Sequence, residues 1–204
     1  MRLLDPSETS TAASLLARAF DADPMFQFLF EERRARWLHW IMAVTIRQCL
    51  RDGVVFAKDD GGALAGVVLS VPPGKWPLGV WSFVRAGFAV PPSFPPRRAR
   101  SEGAAIERAI VAKHPPVPHW YVYVLGIEPS LVGRGLGGAL LGHALAQADA
   151  AAVPAHLETT NPKNLGLYRK FGFEVTEELL IGGAPPTWIM MRPAHHQAGA
   201  HQPV

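Results

Sequence analysis

The sequence has almost no cysteine and no long apolar run. Cys49 is the single cysteine among 204 residues, which excludes an intramolecular disulfide and favours a reducing compartment. The longest apolar stretch, LGVWSFVRAGFAV, carries Arg85 and is shorter than the ~18 residues that span a bilayer. The N-terminal MRLLDPSETS reaches charge and proline too early for a signal peptide. These features predict a soluble cytoplasmic protein without a membrane partner.

Charge of either sign is also sparse. The formal net charge is +3, and the one local basic run consists of Arg97, Arg98 and Arg100, which we expect to be a solvated loop. Nucleic-acid binding usually needs a broader basic face, so no nucleic-acid partner is expected. The histidines of the C-terminal tail match no zinc-ligand spacing, so no metal site is expected either.

Apolar residues make up 49% of the chain and indicate a globular fold. The length fits one domain, which we place at residues 1–192, with a flexible tail at 193–204. A helical insertion is expected at about 75–114, with two helices near 77–89 and 97–113. Strand and helix signals follow in a mixed order: a strand, helices, a hairpin, then strand, helix, strand, helix and a last hairpin. The two middle strands are predicted at 120–127 and 155–159, and the helix between them at about 135–150. This order predicts an α/β fold of mixed α+β type. Its central sheet is mostly antiparallel, with one parallel crossover.

The most informative stretch is residues 122–138, VYVLGIEPSLVGRGLGG. A β-prone run ends in a turn, a glycine-rich loop follows, and a helix-forming run begins at once. Gly133, Gly135, Gly137 and Gly138 leave backbone amides bare of side chains at the start of that helix. Unpaired amides and the positive end of a helix dipole both attract anions. The stretch therefore predicts a binding site for a phosphorylated cofactor.

A dinucleotide-binding fingerprint is an alternative interpretation. Gly133, Gly135 and Gly138 fit G-x-G-x-x-G, and Glu158 follows at about the 20-residue spacing of a ribose-binding acid. However, the turn before the first glycine is too long, and too few residues follow Glu158 to complete a doubly wound sheet. A Walker loop is excluded because no Gly-Lys-Ser/Thr occurs. A glycine-rich turn that only permits close helix packing is the structural alternative.

Two motifs together carry a family resemblance. Residues 133–137, GRGLG, followed by LETTNPKNLGLYRKFGFEV, resemble the GNAT superfamily of acetyl-CoA-dependent N-acetyltransferases. The resemblance is good over about residues 118–192 and loose before them. It implies a GNAT-like sheet with a splayed parallel strand pair at the cofactor site, and acetyl-CoA as the cofactor. It also implies acetyl transfer to a primary amine by direct attack in a ternary complex, and likeness to an antibiotic-modifying member favours a small-molecule amine.

The resemblance implies a cofactor site built mainly from backbone amides. In the family, the glycine loop binds the CoA pyrophosphate, and a bulged strand before it holds pantetheine and polarises the acetyl carbonyl. The resemblance implies that the backbone of Leu125 and Ile127 has this role here, and Gly126 between them suggests a bulge or a close backbone approach. Val132 departs from the family pattern, which usually has Gln or Arg there, so a polar side-chain contact is lost. The implied cofactor residues are Leu125, Gly126, Ile127, Val132, Gly133, Arg134, Gly135, Leu136, Gly137, Gly138, Asn161 and Tyr168.

The catalytic residues are inferred partly from the resemblance and partly from the chemistry. Tyr168 is the implied proton donor to the CoA thiolate, with apolar packing as its alternative, and Asn161 is either a cofactor contact or a helix cap before Pro162. Glu158 is the candidate base, because an ammonium proton must leave before an amine can attack. Its alternative is an ion pair with an arginine. His119 is a second candidate base, or else a surface or packing residue.

The acceptor site is the least defined by sequence. Asp21 and Asp23, in the break between the first two predicted helices, are expected with Phe26 to bind a cationic amine, with solvated turn acids as the alternative. The expected partner is a small-molecule amine, and the protein is expected to be a monomer or homodimer. A non-catalytic acyl-CoA-binding or sensing module and a NAD-binding protein are the other functions that the sequence allows.

Overall fold

The computed structural model describes residues 1–77 and 96–194, which form a seven-stranded sheet flanked by helices. The strands are β1 (Arg2–Leu3), β2 (Val54–Asp60), β3 (Ala63–Val71), β4 (Trp120–Ile127), β5 (Ala155–Thr159), β6 (Glu174–Leu179) and β7 (Thr187–Arg192). The α-helices in these residues are α1 (Thr9–Ala19), α2 (Pro24–Leu29), α3 (Arg34–Asp52), α4 (Arg97–Ser101), α5 (Gly103–Val111), α6 (Leu136–Ala150) and α7 (Leu165–Lys170). None of these helices is both long enough and apolar enough to cross a membrane.

The sheet has the strand order β1-β2-β3-β4-β5-β7-β6. Neighbouring strands are antiparallel, except that β4 and β5 are parallel and are joined by the crossover helix α6. This arrangement confirms the predicted mixed fold with one parallel pair. It is not the doubly wound parallel sheet that the dinucleotide interpretation requires.

Two apolar cores cover the two faces of the sheet. Helices α1 and α3 pack on one face, and α6 and α7 on the other. Side chains alternate along a strand, so Tyr121 of β4 joins the first core while Trp120 and Val122 join the second. Each fully buried leucine, such as Leu16 or Leu140, contributes roughly 1.5–3 kcal/mol of hydrophobic stabilisation. The two cores hold β4 and β5 in place between them.

Local capping explains where α2 begins and corrects one prediction. The stretch DADPMF, predicted as a plain break, includes the start of the short helix α2, which runs from Pro24 to Leu29. Asp23 caps that helix by accepting from the amides of Met25 and Phe26, at 3.0 and 3.3 Å, and Pro24 occupies the first helical position. The cap therefore fixes the Asp23 carboxylate at the junction of α1 and α2.

The region around the arginine cluster also differs from the prediction. Arg97, Arg98 and Arg100 lie on helix α4 rather than in a loop, and Arg98 forms an ion pair with Glu31. The predicted helix near 97–113 is split into α4 and α5 at Glu102. The other predicted helix, near 77–89, falls almost wholly outside the described residues, as do tail residues 195–204.

Candidate functional site

Strands β4 and β5 pair only where they begin. Trp120 lies opposite Ala155 and Tyr121 opposite His156, and these are the register pairs between the two strands in the described chain. Beyond them the strands continue to Ile127 and Thr159 without pairing to each other. The centre of the sheet therefore opens into a gap whose edges carry unpaired backbone groups.

A β-bulge in β4 changes the direction of the amides that border this gap. Val122 pairs with Ser70 and Val124 with Leu69, which leaves Tyr123 as the extra residue of the bulge. Because the bulge adds one residue, it reverses the alternation of amide directions along the rest of the strand.

Two hydrogen bonds fix the amide directions on each side of the bulge. The Trp120 amide donates to the carbonyl of Pro154, next to β5, at 2.9 Å, and the Glu128 amide donates to the carbonyl of Ala65, next to β3, also at 2.9 Å. Amides alternate in direction along a strand, so the amides of Leu125 and Ile127 point away from β3 and into the gap. These are the two amides that the sequence analysis assigned to carbonyl polarisation.

Gly126 is not the bulged residue, although a glycine in a strand suggested one. It permits close packing of α1 instead, since a Cβ at Gly126 would lie 2.3 Å from Cδ2 of Leu16. The bulge at Tyr123 directs the amides, and Gly126 lets the helix approach the same strand.

The glycine loop has backbone angles that side-chain-bearing residues rarely adopt. Gly133 and Gly135 have φ of +88° and +80°. Gly135 is the N-cap of α6 and supplies no side-chain cap, and its carbonyl accepts the first helical bond, from Ala139 at 3.0 Å. The amides of the first helical turn, from Leu136 to Gly138, therefore precede the helical hydrogen-bond ladder and are available to an anion.

Not every amide in the loop is equally free. The Val132 amide lies 3.4 Å from the carbonyl of Pro129, and the Arg134 amide lies 3.4 Å from the carbonyl of Leu131. Within residues 1–77 and 96–194, no backbone carbonyl accepts from the amide of Gly133 or Gly135. The side chain of Val132 is 70% exposed and offers no polar contact. The main anion-binding capacity therefore lies between Gly133 and Gly138.

A groove of about 630 Å³ joins the glycine loop to Tyr168. Its walls are the end of β4, the loop and first turn of α6, and the exposed face of α7. Asn161 also borders the groove, where its side-chain oxygen accepts from the amide of Lys163 at 3.1 Å. Asn161 is therefore a helix cap, as one interpretation predicted, and its position beside the groove is compatible with a second role.

A second, smaller cavity of about 210 Å³ is also bordered by Tyr168. Its wall is mostly apolar and includes Phe26, Met42 and Val122, with the carboxyl groups of Asp23 and Glu158. The residues common to the groove and the cavity are Phe20, Asp23, Leu125, Asn164 and Tyr168. A ligand in the groove and one in the cavity would therefore meet beside Tyr168.

Tyr168 is buried, and burial raises its pKa to about 12, so the phenol stays protonated at physiological pH. Its ring packs edge-on against Phe173, with centroids 6.1 Å apart, which agrees with the packing alternative. No side chain or carbonyl in the described chain hydrogen-bonds its hydroxyl, which borders both spaces. The phenol is therefore positioned as a donor to a ligand.

Glu158 extends from β5 towards the cavity and has no arginine partner among the described residues. Its Oε1 accepts a hydrogen bond from the hydroxyl of Tyr121, and its Oε2 lies 3.6 Å from Nε2 of His156. Burial raises the pKa of Glu158 to about 7, against a smaller opposing effect of the Tyr121 hydrogen bond. A carboxyl group with this pKa can both take up and release a proton near neutral pH.

The predicted acceptor residues separate into two groups. Asp23 and Phe26 border the cavity, and the hydroxyl of Thr160 lies 3.1 Å from both carboxylate oxygens of Asp23. Burial raises the pKa of Asp23. Asp21 instead forms an exposed ion pair with Arg34, at 3.0 Å, and does not border the cavity.

Two further predicted residues border neither the groove nor the cavity. Arg134, a predicted cofactor contact, instead forms an ion pair with Asp60, at 2.6 Å. His119 is buried, with Nδ1 at 2.8 Å from the carbonyl of Val117, and does not border the cavity as a base would. Sequence analysis missed Tyr121, which hydrogen-bonds the candidate base. The only sequence feature that pointed to this contact was the predicted parallel crossover, which brings β4 beside β5.

Comparison with known proteins places this geometry in a family. The model of the "Acetyltransferase (GNAT) family" matches residues 19–173. Among solved structures, the histone acetyltransferase HPA2 and related acetyltransferase from Corynebacterium glutamicum is 22% identical, with a TM-score of 0.70 and 97% of each chain covered. Arylalkylamine N-acetyltransferase 2 from Aedes aegypti is 14% identical, with a TM-score of 0.66, and the match covers 94% of this chain and 97% of that one.

A curated relative matches only part of the chain. The uncharacterized protein ML0378 of Mycobacterium leprae is 36% identical over 61 residues, which span 30% of this chain and 17% of that protein. The comparisons do not support the closer likeness to an antibiotic-modifying enzyme, puromycin N-acetyltransferase, on which the expectation of a small-molecule acceptor partly rested.

Proposed function

This chain belongs to the GNAT acetyltransferase family, and from that premise we propose that it transfers an acetyl group from acetyl-CoA to a primary amine of a small molecule. The observation that carries the proposal is that Tyr168 and Leu125 border both the groove and the cavity. A cofactor along the groove and an amine in the cavity would be brought together at one point, as direct attack in a ternary complex requires.

The residues of the groove fit the parts of acetyl-CoA. The free amides between Gly133 and Gly138 suit its pyrophosphate, and the gap between β4 and β5 suits its extended pantetheine arm. Asn161 is proposed to contact that arm while it caps the helix. Acetyl-CoA supplies the acetyl group as a thioester. The amides of Leu125 and Ile127 would stabilise negative charge that develops on its carbonyl oxygen.

Glu158 is proposed as the base that accepts the ammonium proton of the acceptor. Its pKa of about 7 makes the carboxylate available near neutral pH while it still binds a proton well. Asp23, on the same cavity wall, adds a second carboxyl group that favours a cationic substrate.

Tyr168 is proposed to donate a hydrogen bond to the departing sulfur. With a pKa of about 12, its phenol is too weak an acid to lose its proton outright. Donation to the thiolate would therefore be coupled to arrival of the proton that leaves the amine.

The cavity favours a small amine with an apolar body. Its volume of about 210 Å³ is below the roughly 300–1,000 Å³ of sites for drug-sized ligands. Phe20 and Phe26 form an edge-to-face pair on its wall, with centroids 5.8 Å apart, and such rings pack well against an aromatic side group. The name of the Aedes aegypti relative, an arylalkylamine N-acetyltransferase, supports the same class of acceptor.

A panel of amines tests the proposal. CoA release from acetyl-CoA would be measured with arylalkylamines, aliphatic amines, and peptides that carry a free N-terminus or a lysine, beside a titration of acetyl-CoA binding. We expect turnover with the small apolar amines. Turnover with peptides alone would overturn the acceptor class. Tight acetyl-CoA binding without turnover on any amine would favour the sensing module instead.

A further inference from the structure

Three histidine side chains gather beside Glu158, on the sheet face that carries Tyr121. His156 precedes Glu158 by two residues on β5, so the two side chains share a face. The ring centroids of His114 and His156 are 4.4 Å apart, and those of His114 and His119 are 5.4 Å apart. One ring nitrogen of His114, one of His156 and one carboxylate oxygen of Glu158 all lie within 4.8 Å of one another.

The hydrogen bonds of His119 define the tautomer of His114. The carbonyl of Val117 can only accept, so Nδ1 of His119 must donate to it, at 2.8 Å. In neutral His119, Nε2 then has a lone pair and accepts from Nδ1 of His114, at 3.2 Å. Neutral His114 is left with a lone pair on Nε2, a buried atom with no hydrogen-bond partner in the described chain. Burial lowers the pKa of His114 to about 4, which agrees with the neutral ring.

The buried nitrogen and oxygen atoms of this cluster offer more hydrogen-bond acceptors than donors. Glu158 Oε2 is buried without a partner, and both ring nitrogens of His156 are also unpartnered within the described residues. A neutral His156 supplies one N–H and one lone pair. With the carboxylate ionised, three lone pairs from His114, His156 and Glu158 therefore face one another with a single N–H to share. Such a shortage of donors is costly in a buried site, and either a proton on Glu158 or an electron-pair acceptor such as a metal ion removes it.

We propose that His114, His156 and Glu158 form a binding site for one divalent transition metal ion of the zinc type. Two imidazoles and a carboxylate are the donor set of many three-ligand zinc sites, which keep a fourth position open. Zinc ligands lie about 2.0–2.2 Å from the ion, so the 3.6 Å between His156 Nε2 and Glu158 Oε2 fits two ligands of one metal. Ligand atoms that are further apart than this, up to 4.8 Å, need a small rotation of a histidine ring before both can reach the ion.

His119 has a positioning role in this site. Its bond to Nδ1 of His114 orients that ring and fixes the tautomer that leaves Nε2 free, as outer-shell partners of metal-bound histidines commonly do. The sequence analysis expected no metal site because it weighed the spacing of the tail histidines. These ligands come instead from the segment before β4 and from β5, which the sheet brings together.

Occupation of this site would inhibit acetyl transfer. A metal-bound Glu158 cannot accept the proton of an amine, so the ion and the acid–base role of Glu158 exclude each other. This consequence depends on the proposed function, whereas metal binding itself does not.

The binding test uses Co²⁺ as a spectroscopic probe of the chelator-treated full chain. The background has His195, His196 and His201 replaced by alanine, which removes the tail histidines as competing ligands. We expect one Co²⁺ per chain with a visible absorption band of a four-coordinate site, displaced by one equivalent of Zn²⁺. His114→Ala should weaken binding at least tenfold, and His119→Ala about ten- to a hundredfold. His143→Ala, whose ring packs on Phe56 instead, is the matched control and should bind normally.

Glu158→Gln provides a second variant of unchanged size, in case His114→Ala fails to fold. Loss of the band in Glu158→Gln, with a native circular dichroism spectrum, supports the site. Two results overturn the site. One is that His114→Ala binds Co²⁺ as tightly as the chain that keeps His114. The other is that Co²⁺ binding disappears once the three tail histidines are replaced by alanine. Zinc should lower the rate of acetyl transfer at the occupancy that the spectrum reports, and an unchanged rate at full occupancy overturns the inhibitory role. If no amine is acetylated, the proposed function fails, but the Co²⁺ spectrum still decides the metal site.

Discussion

The hydroxyl of Tyr121 donates a hydrogen bond to Oε1 of Glu158. Tyr121 lies in the last register pair of β4 and β5, and Glu158 lies two residues further along β5, where the strands no longer pair. This bond favours the ionised form of Glu158, while burial of the carboxyl group disfavours it, and burial is the larger effect. The pKa of the proposed base is thus set by one hydrogen bond from β4 and, to a larger extent, by burial of the carboxyl group.

Replacing Tyr121 by phenylalanine should raise the pKa of Glu158. A hydrogen bond to a charged group is worth roughly 1.5–3 kcal/mol, and one pKa unit corresponds to about 1.4 kcal/mol. The acidic limb of the pH profile of kcat/KM should therefore move up by about one to two pH units, with activity recovered at higher pH. Tyr123→Phe, which removes a neighbouring phenol that does not bond Glu158, should leave the limb in place. A uniform loss of rate at every pH would contradict the assigned effect.

Glu158→Gln should remove the base and keep the shape of the side chain. We expect kcat/KM to fall by about 10²–10⁴-fold, the usual contribution of a general base, and its rise through about pH 7 to disappear. Acetyl-CoA affinity should be unchanged, because Glu158 does not border the groove. A variant that keeps the wild-type pH profile would show that another group takes the proton.

Local signals in the sequence were enough to locate the cofactor groove. Strand β4 and strand β5 have the predicted bounds, and α6 begins one residue after its predicted start, because alternation, glycine and helix propensity act over a few residues. Asp23 followed by proline resembles a turn as much as a helix cap, so the sequence predicts a break where α2 begins. The contact of Tyr121 with Glu158 depends on how two distant strands pair, which no local pattern specifies.

Tyr168→Phe should separate catalysis from packing. The variant keeps the ring that packs on Phe173 and loses only the hydroxyl that faces the groove. We expect kcat to fall by about ten- to a thousandfold, as for a proton-transfer role, with acetyl-CoA affinity nearly unchanged. Pre-steady-state CoA release identifies the rate-limiting step. An unchanged kcat when chemistry limits the rate would remove Tyr168 from the mechanism.

Gly135→Ala should weaken acetyl-CoA binding through the backbone. A residue with Cβ resists the φ of +80° at Gly135 by roughly 1–2 kcal/mol, so the loop would relax and turn its amides away from the pyrophosphate. Calorimetric titration should show about a five- to thirtyfold loss of affinity. Gly62→Ala is the matched control, because Gly62 has φ of +81° in the hairpin between β2 and β3, with open space around it. Gly62→Ala should reduce the free energy of unfolding by a similar amount and leave acetyl-CoA affinity unchanged. Equal losses of acetyl-CoA affinity in the two variants would mean that general destabilisation causes the effect.

The raised pKa of Glu158 also predicts how stability changes with pH. The native state holds this proton up to about pH 7, whereas the unfolded chain releases it near the ordinary glutamate pKa of 4.5. The native state therefore binds more protons between these values, and the contribution of Glu158 to the free energy of unfolding falls as pH rises through that window. Urea unfolding at pH 5 and pH 8 should show that the free energy of unfolding decreases more in wild type than in Glu158→Gln, by at most about 3 kcal/mol.

Glu174→Gln, at an exposed position of β6, is the control, and its free energy of unfolding should change with pH as in wild type. Parallel curves for wild type and Glu158→Gln would mean that Glu158 is ionised at no cost in the native state, and the argument for it as a base poised near neutral pH would fail.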